Sequence, residues 1–80
     1  MGVYLVERYV PSLERSALTA AAARLDDLSD DSVRHVTTLI ITDEDSCISI
    51  IEAPDAESVG SLNERAGFAF DRIVEVSRIR

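Results

Sequence analysis

Three observations in the sequence predict an α+β sandwich with the element order βαββαβ. The hydrophobic period switches twice from about two residues to about 3.6 and back, a change that marks a passage from strand to helix. An acidic turn, Asp43-Glu44-Asp45, separates two runs rich in β-branched residues. Pro54-Asp55 and Gly67 then punctuate the second helical stretch at its two ends. Two crossover units joined by one hairpin give a ferredoxin-like fold, in which a four-stranded antiparallel sheet carries two helices on one face. Strands one and three are expected at its centre.

The elements follow in order. Val3 to Val10 is a β-branched and aromatic run stopped by Pro11, the first strand. Leu13, Ala17, Ala20 or Ala21, Leu25 and Leu28 recur at helical spacing, with Ser12 as the expected N-cap. The polar cluster Ser29-Asp30-Asp31-Ser32 closes this helix, and Val33 to Thr42 forms the second strand. Ser46 to Ala53 is the third. Asp55 opens a helix that carries Val59, Leu62 and Ala66 on one face, and Gly67 closes it with Phe68 folding back. Arg72 to Ile79 is the last strand. No linker, low-complexity run or repeat of fixed period divides the chain, so residues 1–80 are expected to form one domain.

Eighty residues with a 46% apolar share bury only about 60% of the surface exposed by the unfolded chain, so the core is small. A single cysteine cannot pair within the chain, and self-association is one common remedy for a small core. The second and third strands carry apolar residues at both parities, with Leu39, Ile41 and Ile51 on one and Val36, Ile40, Ile48 and Ile50 on the other. A sheet with one wet face would alternate. A second copy of the chain is therefore expected to cover the face that the helices leave open, burying Ile40 and Ile50.

The formal charge of −7, from 15 acidic and 8 basic residues, opposes a phosphate backbone, so no nucleic acid partner is expected. Four of the eight arginines, Arg65, Arg72, Arg78 and Arg80, crowd the last sixteen residues without interleaved aromatics, as a solvated face would. No apolar run approaches the ~20 residues of a membrane span, and a lone thiol suits a reducing compartment. The expected location is the cytoplasm.

Catalytic signatures are missing from the sequence: there is no Gly-x-Ser-x-Gly elbow, phosphate loop, His-Glu-x-x-His or Cys-x-x-Cys. Any triad would have to be built around His35, the one histidine. The carboxylate pairs Asp26-Asp27 and Asp30-Asp31 fall in expected exposed turns. Cys47 on an apolar strand reads most simply as a small buried hydrophobe, and His35 as a half-exposed residue bonded to backbone. Glu7 and Glu52 sit inside apolar strands, where a carboxylate needs a partner; Arg34 and Arg72 are the expected ones.

Several segments carry a family resemblance: Tyr4-Leu5-Val6-Glu7-Arg8, Asp45-Ser46-Cys47 through Glu52-Ala53, Asn63-Glu64-Arg65-Ala66-Gly67-Phe68 and Asp71-Arg72-Ile73-Val74-Glu75. Together they resemble a small ferredoxin-like family of unknown function that includes an actinobacterial nickel-binding protein. That resemblance implies a homodimer of ferredoxin-like protomers and, as in at least one member, nickel bound by the protein. The chain departs from the family pattern where many relatives have a second cysteine, at Ser49, and in the absence of a histidine from the second helix.

His35 and Cys47 are the imidazole and thiolate the chain has to offer a metal. A regular hairpin puts Cys47 opposite Ile41 or Thr42 and His35 roughly 20 Å away along the strand. The two are thus expected to meet only across a dimer interface, with Glu7 or Glu52 adding oxygen ligands. Two functions follow: a non-enzymatic homodimer that binds nickel or another transition metal between subunits, or a dimeric-barrel enzyme with an apolar pocket lined by Tyr4, Ile40 and Ile50. A purely structural or regulatory dimer is the third possibility.

Overall fold

The computed structural model describes residues 1–79. Its elements are β1 (Gly2–Tyr9), α1 (Arg15–Leu28), β2 (Arg34–Ile41), β3 (Ser46–Ala53), α2 (Ala56–Arg65) and β4 (Arg72–Val76). The four strands form one sheet in the order β2-β3-β1-β4, all neighbours antiparallel, which is the ferredoxin-like arrangement. β1 and β3 are central, as the sequence predicts. Among the described residues no helix is long and apolar enough to cross a membrane.

Even-numbered residues of β1 and odd-numbered residues of β3 point at the helices. Val6, Cys47, Ser49 and Ile51 on that side are wholly buried, together with Leu25 of α1 and Val59 and Leu62 of α2. α1 begins later than expected. Pro11 and Ser12 turn the chain, Glu14 takes the N-cap position without a side-chain bond, and the buried stripe becomes Leu18, Ala21 and Leu25. Leu13, expected in that stripe, is left 52% exposed. α2 is better specified by its ends. Asp55 accepts a 2.8 Å bond from the Ser58 amide at its start. Its end is a Schellman turn in which Gly67 has φ +66° and the Phe68 amide donates to Asn63 O at 3.0 Å.

The register overturns the expected grouping of the strand faces. Ile40 pairs with Cys47, and both lie on the helix side, whereas Leu39 pairs with Ile48 and Thr37 with Ile50. Residues paired across antiparallel strands share a face. The open face therefore carries Val3, Leu5, Leu39, Ile41, Ile48, Ile50, Val74 and Val76. Numerical parity misled because a hairpin's register, not the residue number, decides which residues are neighbours. β4 also stops at Val76, three residues short of its expected end.

Candidate functional site

A fault in β2 builds the most unusual feature of the protein. His35 pairs with Ile51, yet Thr37 pairs with Ile50, so one extra residue, Val36, is inserted as a bulge. In a regular strand residues three apart point to opposite faces. The bulge turns His35 and Thr38 to the same side, under α1, and leaves Val36 47% exposed. His35 Nε2 then lies 2.7 Å from Thr38 Oγ1, and Nδ1 lies 2.6 Å from Asp26 Oδ1 in the last turn of α1. Its backbone is anchored too, since the His35 amide donates to Ser29 Oγ at 2.9 Å.

From Thr38 a file of hydrogen bonds continues into the core. Thr38 Oγ1 and Ser49 Oγ are 2.7 Å apart, and Arg8 Nη2 donates to Ser49 Oγ at 2.7 Å. Arg8 Nη1 donates to Asn63 Oδ1 at 2.9 Å and to the carbonyls of Phe68 and Ala69 at 3.2 Å each. Asn63 closes the file by donating to Val59 O at 2.8 Å. The guanidinium also stacks 3.6 Å from the Phe68 ring centroid. Every partner of Arg8 named here is neutral.

Donor and acceptor roles follow from the fixed end. Arg8 only donates, so Ser49 Oγ accepts from it and passes its own hydrogen to Thr38. Thr38 in turn donates to His35 Nε2. The ring hydrogen then sits on Nδ1 and is donated to the Asp26 carboxylate. With one hydrogen per hydroxyl, this is one arrangement that satisfies each member.

Cys47 lies on the same side of the sheet and is fully buried. Burial pushes its thiol up, with the neighbouring Arg8 guanidinium opposing that shift. Burial likewise lowers Arg8, against the influence of Cys47 and Asp71. A thiol becomes a metal ligand only as thiolate, and a guanidinium beside it repels a second cation. Arg8 Nε is buried without a hydrogen-bond partner.

His35 and Cys47 do not meet within the protomer. Their β3 positions, Ile51 opposite His35 and Cys47 itself, are four residues apart, or about 13 Å. This is shorter than the sequence-based expectation because the register is tighter and the bulge takes up a residue. Both side chains lie on the helix side, so a dimer formed through the open face would not bring them to its interface. Among the described residues no group of three or more His, Cys, Asp and Glu is placed to hold one metal ion. His35 is also buried rather than half-exposed, at 9%. The described residues of one protomer therefore do not fit a closed metal site that includes His35 and Cys47.

The strand carboxylates are paired as the sequence predicts. Glu52 bonds Arg34 across β3 and β2, and Glu7 bonds Arg72 at 2.8 Å across β1 and β4. These pairs occupy diagonally opposite corners of the open face, since Glu52 stands opposite Val3 while Glu7 stands opposite Ile48. At the Glu7 end of the face Leu5, Glu7, Tyr9, Ile41, Ser46 and Ile48 border a shallow hollow of about 420 Å³. Tyr4 and Ile40, expected to line a pocket with Ile50, face the helices instead.

Asp26, Thr38, Ser49, Arg8 and Asn63 were not singled out by sequence reasoning as members of a site. One signal was available, since Arg8 alternates with Tyr4 and Val6 on the core side of β1 and must be buried with them. The bulge at Val36 leaves no mark in the sequence.

The family model described as "Nickel responsive protein SCO4226-like" matches residues 4–76. The chain belongs to this family. The matched span takes in all of the hydrogen-bonded file and both ion-paired corners. Comparisons with curated proteins and with solved structures returned no match.

Proposed function

We propose that the protein is a non-enzymatic cytoplasmic homodimer that binds nickel ion and serves a nickel response. Membership of a family described as nickel responsive is the observation that carries the metal part of this reading. The donor set available to nickel is led by His35, since imidazole nitrogen suits the ion and divalent nickel binds such sites more tightly than iron or cobalt does. A charge of −7 raises the local concentration of cations around the protein.

The dimer rests on the open sheet face. Its eight apolar side chains lie between two Arg–Glu pairs at opposite corners, an arrangement that approximates two-fold symmetry about the Leu5–Ile50 pair. A two-fold partner presents the same patch in return, so apolar centre meets apolar centre and charged corners meet charged corners. A monomer that left such a face in water would carry an uncommonly large apolar patch.

Replacing Ile50 with Asp places a charge at the centre of that contact and should convert the dimer to monomer in sedimentation velocity. Ile40→Asp does not serve, because Ile40 packs against the core. A wild-type monomer, or an intact Ile50→Asp dimer at the same concentration, would reject the open face as the interface.

A further inference from the structure

We propose that Thr38 is a nucleophile for acyl transfer, with His35 as its general base and Asp26 holding the imidazole, and that it accepts an apolar acyl group from an activated ester or thioester in the groove between α1 and β2. This activity goes beyond the nickel-binding reading and does not rest on it.

The three side chains meet the geometric requirement for an activated hydroxyl, which is a nucleophile within hydrogen-bond reach of a base that a third group orients. Thr38 Oγ1 is 2.7 Å from His35 Nε2, and Asp26 Oδ1 is 2.6 Å from His35 Nδ1. Each ring nitrogen thus has its own partner. The carboxylate holds the tautomer in which Nε2 is the acceptor, and it balances the imidazolium that forms when Nε2 takes a proton. The ring cannot swing away, since its side chain is 4% exposed.

A donor stands behind the nucleophile. In the arrangement given above, Arg8 donates to Ser49 Oγ and Ser49 donates to Thr38 Oγ1. As Thr38 yields its hydrogen to His35, negative charge grows on Oγ1 and meets a hydroxyl polarised by a buried guanidinium. Asp26, Ser49 and Arg8 are positioning residues in this scheme.

The groove sets the substrate class. Thr38 is half-buried and lines a groove of about 550 Å³ beside the edge strand β2. Leu18, Ala22, Ala23 and Ile40 give the groove apolar walls, and it follows β2 from Thr38 to Thr42, about 13 Å. An extended acyl chain fits that length. Arg15, the cation lining the groove, stands in the first turn of α1, about three turns from Asp26. The acyl donor must therefore bring a leaving group that departs without a cation beside it, as a thiolate or a phenolate does.

The Thr38 hydroxyl proton passes to His35 Nε2 while Oγ1 bonds to the acyl carbon. The C–S or C–O bond of the donor breaks, its electron pair leaves with the thiolate or phenolate, and His35 returns the proton to that anion or to water. One acyl group is taken up per chain, so the step is stoichiometric.

The probe is p-nitrophenyl octanoate, followed by phenolate release and by mass spectrometry of the intact chain and its peptides. Competing nucleophiles are few, because the chain has no lysine and Cys47 is wholly buried. Wild type, Cys47→Ala and Thr38→Ser should each carry one octanoyl group, on residue 38. Thr38→Val should carry none there. Asp26→Asn, at a side chain 66% exposed, should be labelled about ten-fold more slowly or worse, with an unchanged circular dichroism spectrum, because it loses the tautomer and keeps the shape. Wild type left unlabelled, an octanoyl group found only on another residue, or equal rates in wild type and Asp26→Asn would overturn the proposal.

Discussion

Arg8→Lys should destabilise the protein by about 3 kcal/mol, and the reason lies in the shape of the guanidinium rather than its charge. Both side chains are cations, so the cost of burying a positive charge among neutral partners is largely common to the two and cancels from the comparison. What differs is reach. Arg8 sends Nη2 to Ser49 on one side and Nη1 to Asn63, Phe68 O and Ala69 O on the other. A lysine ammonium is a compact point and can serve only one side. Turned towards Ser49 it abandons Asn63 Oδ1, whose residue is wholly buried; turned towards Asn63 it breaks the file at Ser49. Either choice forfeits at least one bond from a charged donor, worth about 1.5–3 kcal/mol, and the stack on Phe68, worth about 0.5–2 kcal/mol.

The sum, roughly 2–5 kcal/mol, is a large share of the roughly 4–12 kcal/mol expected for a domain of this length. Urea unfolding followed by far-ultraviolet circular dichroism measures it, at a fixed chain concentration so that any self-association contributes equally. A loss below about 1 kcal/mol would refute the reasoning, because it would mean that the fork shape of Arg8 contributes little to the core.

Two smaller perturbations test the ends of α2. Gly67→Ala should cost about 1–2 kcal/mol through backbone strain alone, because φ is +66° while no atom lies within 4 Å of the added carbon; an unchanged urea midpoint would contradict the Schellman assignment. Asp55 is held below its ordinary value by bonds from Ser58, and Asp30 by the amides of Val33 and Ser32. A carboxylate depressed in the folded state contributes stability that is present above its unfolded value and is lost as pH falls through its folded value. Thermal stability should therefore decline on acidification below the ordinary carboxylate range, with a shallower decline in Asp55→Asn; parallel curves for the two proteins would refute the role of that cap.

The fold was legible because each element carried its own local signal. Asp43-Glu44-Asp45 marked the hairpin, Pro54-Asp55 and Gly67 bounded α2, and β-branched runs marked the strands. Where the signal was weak the reading slipped. α1 lacks a capping side chain, and its N-cap was placed two residues early, at Ser12 instead of Glu14. The carboxylate partners were legible for a different reason, since Glu7 and Glu52 inside apolar strands had to be neutralised and only neighbouring arginines were available.

The site was much less legible. His35 was identified because it is the one histidine, but its contacts depend on the Val36 bulge and on Asp26, nine residues away on another element. Cys47 was chosen for its chemistry alone, and only the fold reveals that it is sealed beside a guanidinium. The open face had the right composition in the sequence but the wrong membership, as Ile40 turned out to belong to the core and Leu39 and Ile41 to the surface.

Nickel binding, the central element of the proposed function, is tested most directly by calorimetric titration of nickel chloride into metal-free protein. Saturable binding with a whole-number stoichiometry per dimer is expected. Heats indistinguishable from those of nickel added to buffer would contradict it.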